Sequence, residues 1–101
     1  MAEWVEAAEL DSFQRVTRVE IKGYELALFK SDDKVYAIDD ICSHEYSRLS
    51  EGMVWDGKVY CAKHGSAFNL ETGAVGSLPA TEPVSTYPVK VAEGTIFVEL
   101  E

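Results

Sequence analysis

The chain holds two cysteines and two histidines, and all four fall in two short segments, Cys42-Ser43-His44 and Cys61-Ala62-Lys63-His64. Sixteen residues, 45 to 60, lie between them. Each segment offers one thiolate and one imidazole. Soft and borderline donors in two matched pairs describe a single metal site, suited to tetrahedral zinc or to an iron–sulfur cluster. Zinc sites usually gather a Cys pair and then a His pair, whereas here Cys precedes His in both segments. A disulfide between Cys42 and Cys61 would leave both histidines unexplained, and a reducing cytosol disfavours it. A Cys/His nucleophile pair needs only one residue of each kind.

The paired pattern C-x-H … C-x-x-H, with Gly65 directly after the second histidine, resembles the Rieske proteins. Their [2Fe-2S] centre has two Cys on one iron and two His on the other. The resemblance implies that Cys42, His44, Cys61 and His64 ligate one [2Fe-2S] cluster. It also implies an all-β Rieske fold, with stacked antiparallel sheets and a loop-rich cluster-binding subdomain. It covers nearly the whole chain, including Leu78-Pro79-Ala80-Thr81-Glu82-Pro83 and Tyr87-Pro88-Val89. A zinc-stabilised binding module is the alternative that the donor set leaves open.

Two thiolates leave the oxidised centre formally neutral where four would make it anionic, so histidine ligation raises the reduction potential. The resemblance places His44 and His64 at the solvent edge, as the electron's exit. In respiratory Rieske proteins a Ser and a Tyr after the second His donate hydrogen bonds to cluster sulfurs. Here Ser66 stands at the first position and Phe68, without a hydroxyl, at the second. Those proteins also brace their ligand loops with a disulfide, for which this chain has no spare Cys. Both departures point to the low end of the Rieske range, roughly −150 to +300 mV. Gly65 lets the backbone turn sharply beneath the cluster. Pro79 stands where family members place a loop covering the cluster, and Lys63, between the second ligands, is expected to be solvated, with a slight rise in potential or a partner contact as the alternatives.

The elements that must position these residues read as short strands with frequent turn signals, an all-β pattern. Val16, Val19 and Ile21 lie in a run ended by Lys22-Gly23, and Tyr24, Leu26 and Leu28 alternate up to Ser31-Asp32-Asp33. Val35 to Ile38 delivers the chain to Cys42. Asp56-Gly57 marks a tight hairpin, with Val54 and Trp55 before it and Val59 and Tyr60 leading into Cys61. Tyr87, Val89 and Val91 alternate before Glu93-Gly94, and Ile96, Val98 and Leu100 after it. Trp4 and Val5 fit a first strand, and Glu9 to Phe13 fits one helical turn. Glycine and proline concentrate between 41 and 83. One domain, 1–101, therefore divides into a base, 1–40 and 84–101, and a cluster-binding region at about 41–83.

With 101 residues the chain is one domain. It has no apolar stretch of the roughly 20 residues that a membrane span needs. Its first residues lack the features of a secretion signal. A cytoplasmic protein without a membrane anchor is expected, unlike the respiratory Rieske subunits. A formal charge of −9 argues against nucleic acid, whose phosphates need Lys and Arg, and favours partners with basic patches. Asp39, Asp40, Glu45 and Glu51 flank the first ligand segment and are the acidic residues best placed for docking. A Rieske oxygenase needs a second iron on a 2-His-1-carboxylate triad, and no histidine remains for one.

The chain is thus expected to be a carrier and not an enzyme. The resemblance is nearest to ferredoxin components of bacterial aromatic-ring dioxygenase systems. It implies transient docking to a flavin-dependent ferredoxin reductase, which takes hydride from NAD(P)H, and to a terminal oxygenase. A monomer suits such a carrier. The small Rieske-like subunit of an assimilatory nitrite reductase is the alternative within the family.

Overall fold

The computed structural model describes residues 3–31, 33–41, 48–61, 66–76 and 83–100. They form strands β1 (Glu3–Glu9), β2 (Val16–Ile21), β3 (Tyr24–Ser31), β4 (Lys34–Asp39), β5 (Met53–Trp55), β6 (Lys58–Tyr60), β7 (Ala67–Asn69), β8 (Thr86–Tyr87), β9 (Val89–Ala92) and β10 (Thr95–Leu100). Single 3-10 turns occupy Leu10–Ser12 and Leu49–Glu51. The strands make three antiparallel sheets, ordered β1-β10-β9, β2-β3-β4-β8 and β5-β6-β7. The all-β expectation holds, and the helical turn expected at Glu9 to Phe13 is the first 3-10 turn.

Tight turns set the registers. Lys22-Gly23, Asp56-Gly57 and Glu93-Gly94 all have positive φ at both residues, the geometry that matches the twist of a two-residue hairpin. The Asp56-Gly57 turn pairs Trp55 with Lys58, Val54 with Val59 and Met53 with Tyr60. That register brings the chain to Cys61 on the sheet's inner side.

The middle sheet is buried on both faces. Alternate residues of β3 serve different cores, because successive side chains of a strand point to opposite faces. Leu26 and Leu28 pack with Ala37 against Ile96, Val98 and Leu100 of β10. Ala27 and Phe29 pack with Ile38 against Leu49, Val59, Cys61, Phe68, Leu70 and Val84. The alternation of Tyr24, Leu26 and Leu28 captures only one of these faces. Four consecutive residues, 26 to 29, are fully buried.

Two further features depart from the sequence reading. Tyr87, Val89 and Val91 do not form one strand. Tyr87 pairs with Ala37 in the middle sheet, and Val89 with Val98 in the outer one. Pro88 sits between them, and with no N–H to offer a ladder it marks the change of sheet. Its carbonyl accepts the Glu99 N–H at 3.0 Å. The second departure is β7, a strand inside a region that reads as loop, held by Tyr60–Ala67 and Val59–Phe68 pairing.

Candidate cluster site

β6 ends at Tyr60, and Cys61 follows with its side chain buried. The Cys61 N–H donates to the Ser66 carbonyl at 2.7 Å, so the two ends of the second ligand segment meet. Ser66 and Phe68 are fully buried just beyond. The first ligand segment is closed in the same way, by an antiparallel bridge between Ile41 and Arg48. A third loop is anchored by Gly76 N–H to Ala67 carbonyl at 2.7 Å and by Val84 N–H to Gly73 carbonyl at 3.0 Å. Cys61 and Val84, which make two of these closures, and Leu49 and Phe68, next to others, all belong to a single hydrophobic cluster. The roots of three loops therefore rest on one apolar floor.

Two adjacent aspartates, the last residue of β4 and the one after it, organise these roots through different partners. Asp40 is completely buried. Its carboxylate accepts from Arg48 Nη1 at 2.9 Å and from the Ser50 N–H at 2.8 Å. Arg48 also donates through Nη2 to Glu25 at 3.1 Å. The Asp40 backbone completes the latch, donating to the Glu25 carbonyl at 2.9 Å and accepting from the Leu49 N–H. Hydrogen bonds to Asp40 and then Glu25 hold the Arg48 guanidinium more firmly protonated than an ordinary arginine. Asp39 accepts from the Tyr87 hydroxyl at 2.6 Å and from the Ser85 N–H at 3.3 Å. Burial, then the bond to Asp39, pushes the Tyr87 phenol well above its usual range.

The expectation that Asp39 and Asp40 serve partner docking is thereby corrected. Asp40 has no exposed surface and Asp39 is occupied by Tyr87 and Ser85. Both brace loops. Of the four acidic residues only Glu51, at the end of its 3-10 turn, is exposed among the described residues. Cys42, His44 and Glu45, with Lys63, His64, Gly65 and Pro79, lie outside the described residues.

Phe68 fills the core between Val59 and Val75, so it carries packing as well as the missing hydroxyl. Arg48 was not singled out by sequence reasoning. Its signal was there, as the one Lys or Arg between Lys34 and Lys58 in an acidic chain.

The donor set fits an iron–sulfur cluster. Cys61 is set among Leu49, Val59 and Phe68, where a thiolate is costly unless a metal takes up its charge. Thiolate and imidazole donors with no carboxylate select soft or borderline metals.

Comparison with known proteins identifies the class. Residues 3–88 match the Rieske [2Fe-2S] domain. The anthranilate 1,2-dioxygenase ferredoxin subunit of Burkholderia cepacia is 36% identical over 102 residues, spanning 99% of this chain and 94% of that protein. A solved complex of reduced oxygenase and oxidized ferredoxin in carbazole 1,9a-dioxygenase contains a chain 35% identical, with a TM-score of 0.87 over 94% of this chain and 91% of that one. A putative NADH-dependent nitrite reductase small subunit from Mycobacterium tuberculosis is 28% identical, with a TM-score of 0.89 over 100% of this chain and 97% of that one. The chain belongs to the Rieske [2Fe-2S] family, as a ferredoxin that carries one such cluster and transfers electrons without catalysing a reaction of its own.

Proposed function

We propose that Cys42, His44, Cys61 and His64 hold the cluster, and that the chain passes single electrons from an NAD(P)H-dependent flavin reductase to a terminal Rieske non-haem iron oxygenase. One observation carries the ligand assignment: the closures of both Cys–His segments, at Ile41–Arg48 and Cys61–Ser66, are rooted beside the same buried floor of Leu49, Cys61 and Phe68. When bound, the cluster supplies a one-electron centre at higher potential than an all-thiolate one. The chain's own residues bring the two segments together, bury the Cys61 thiolate and close the segment holding Cys42 and His44 with the Asp40–Arg48 latch. The base is 1–40 with 84–101, and the cluster-binding region is about 41–83. The relatives named as dioxygenase ferredoxins and the oxygenase complex of the carbazole system support the choice of acceptor. Docking is transient, as a carrier must release both partners, and the protein works as a cytoplasmic monomer. Among the described residues no helix is long and apolar enough to cross a membrane.

EPR of the dithionite-reduced protein tests the ligand set, because mixed Cys/His and all-thiolate ligation give distinct spectra. A colourless zinc protein would overturn it. Protein-film voltammetry tests the tuning by Ser66 and Phe68. A potential near the low end of the Rieske range is expected, and one above about +150 mV would refute the assignment. The likeness to the nitrite reductase small subunit favours a second reading, a fixed subunit of such an enzyme. Purification as a stoichiometric complex with a reductase large subunit would establish that reading instead.

A further inference from the structure

Five large apolar side chains are exposed among the described residues, and three of them are consecutive: Met53 at 77%, Val54 at 37% and Trp55 at 72%. They make up β5, the outer strand of its sheet. Neighbouring residues of a strand face opposite ways, so neither face of β5 is covered. Edge strands are usually blunted by charge, proline or a covering element. A bare apolar strip on a chain of net charge −9 is a mark of association. Its position connects it to the redox site, since Met53 pairs with Tyr60 and Tyr60 precedes Cys61. Exposed Glu51 and Asp56 bound it at either end.

We infer that Met53, Val54 and Trp55 form the apolar half of the surface that docks the electron acceptor, with Glu51 as its electrostatic half. This inference rests on the carrier reading and specifies where the acceptor sits. The complementary face is an apolar patch with basic side chains opposite Glu51 and Asp56, away from the flank where Arg15 and Lys30 lie beside Met53 and Val54. A second copy of this chain fits poorly. Antiparallel pairing of two β5 strands centred on Val54 would bring Glu51 of each copy towards Asp56 of the other, acid against acid. A strip of three residues suits the small interfaces of transient redox pairs. The two halves have separable roles: charge speeds encounter and fades with salt, while apolar contact holds the complex at any ionic strength.

The test is stopped-flow oxidation of the reduced holoprotein by the oxygenase of the carbazole 1,9a-dioxygenase system, and separately by ferricytochrome c, a basic haem protein. The double substitution Met53→Ser/Trp55→Ser is expected to lower the second-order rate constant at least fivefold with both acceptors. The loss persists at high salt, and the reduction potential, the visible spectrum and the rate with ferricyanide stay unchanged. Trp4→Ser and Val91→Ser, at exposed apolar positions on the outer sheet, serve as controls and keep the parental rates. Rates within twofold of the parent for the double variant overturn the inference. So does a parental dimer in sedimentation equilibrium that the substitutions dissociate, since β5 would then be a self-association edge. If the parent reduces cytochrome c but not the oxygenase, the choice of acceptor in the carrier reading fails, and the cytochrome c comparison still decides the role of the strip.

Discussion

Replacing Asp40 by Asn exchanges one carboxylate oxygen for an amide nitrogen at the foot of the first ligand segment. In the parent, one oxygen accepts from the Ser50 N–H at 2.8 Å and the other from Arg48 Nη1 at 2.9 Å. An asparagine offers one acceptor and one pair of donors. Whichever way its amide turns, a donor faces either Ser50 or Arg48. Losing a hydrogen bond between charged groups costs about 1.5–3 kcal/mol, and a buried donor left unmatched costs a similar amount. Asp40 is fully buried, but the Arg48 side chain retains 26% of its exposure, so water relieves part of the mismatch on that side. The expected loss is therefore about 2 kcal/mol, or roughly 8–16 °C in unfolding midpoint for a domain of this size. Urea unfolding of the holoprotein, followed together by far-UV circular dichroism and cluster absorbance, measures it. The cluster absorbance is expected to fail at lower urea in the variant, with an unchanged m-value. A stability within about 0.5 kcal/mol of the parent, the range of an ordinary surface substitution, would refute the reasoning.

Three other perturbations follow from the same geometry. Tyr87→Phe removes the donor to Asp39. The folded-state pKa of Tyr87 lies above its ordinary value of 10.0, so its contribution is intact below pH 10 and is lost as the pH rises above it. Alkaline unfolding curves of the parent should fall more steeply there than those of the variant. Gly73→Ala places a Cβ 2.1 Å from the Val84 carbonyl oxygen at a φ of +77°. The expected cost is about 2 kcal/mol or more in thermal unfolding, because left-handed strain and backbone overlap add. Glu45→Gln with Glu51→Gln should slow reduction by the flavin reductase at low ionic strength and converge with the parent as salt is added. Equal rates across the salt series would count against electrostatic docking.

The strands were legible wherever one residue pattern served one face. Ile96, Val98 and Leu100 alternate because only their side is buried, and Asp56-Gly57 announces its hairpin because a two-residue turn of that hand needs positive φ twice. Legibility failed where a local pattern is overruled at long range. Pro88 interrupts an unbroken alternation, and only the partners Ala37 and Val98 show that its two sides belong to different sheets. Strand β7 has no alternating signal, since Ala67 and Phe68 are both buried. At the site, the Cys–His spacing was informative because the chemistry demands those residue types. The latch was hidden because its members, Glu25, Asp40 and Arg48, lie up to 23 residues apart and look like ordinary surface charges.

The double allegiance of β3 changes how its alignment is policed. In most strands a slip by one residue is punished by water, because the apolar set moves to the solvent side. Here such a slip would keep apolar side chains facing both cores, while driving Glu25 or Lys30 into one end of the buried run. At the other positions it would put leucines where Ala27 and Phe29 belong, leaving the cores with side chains of the wrong size. Alignment then rests on volume, on the charges at either end of the run, and on the hairpin at Lys22-Gly23 that fixes where the strand begins. A substitution such as Ala27→Leu, conservative by hydropathy, would erase that distinction and invite the shifted alignment.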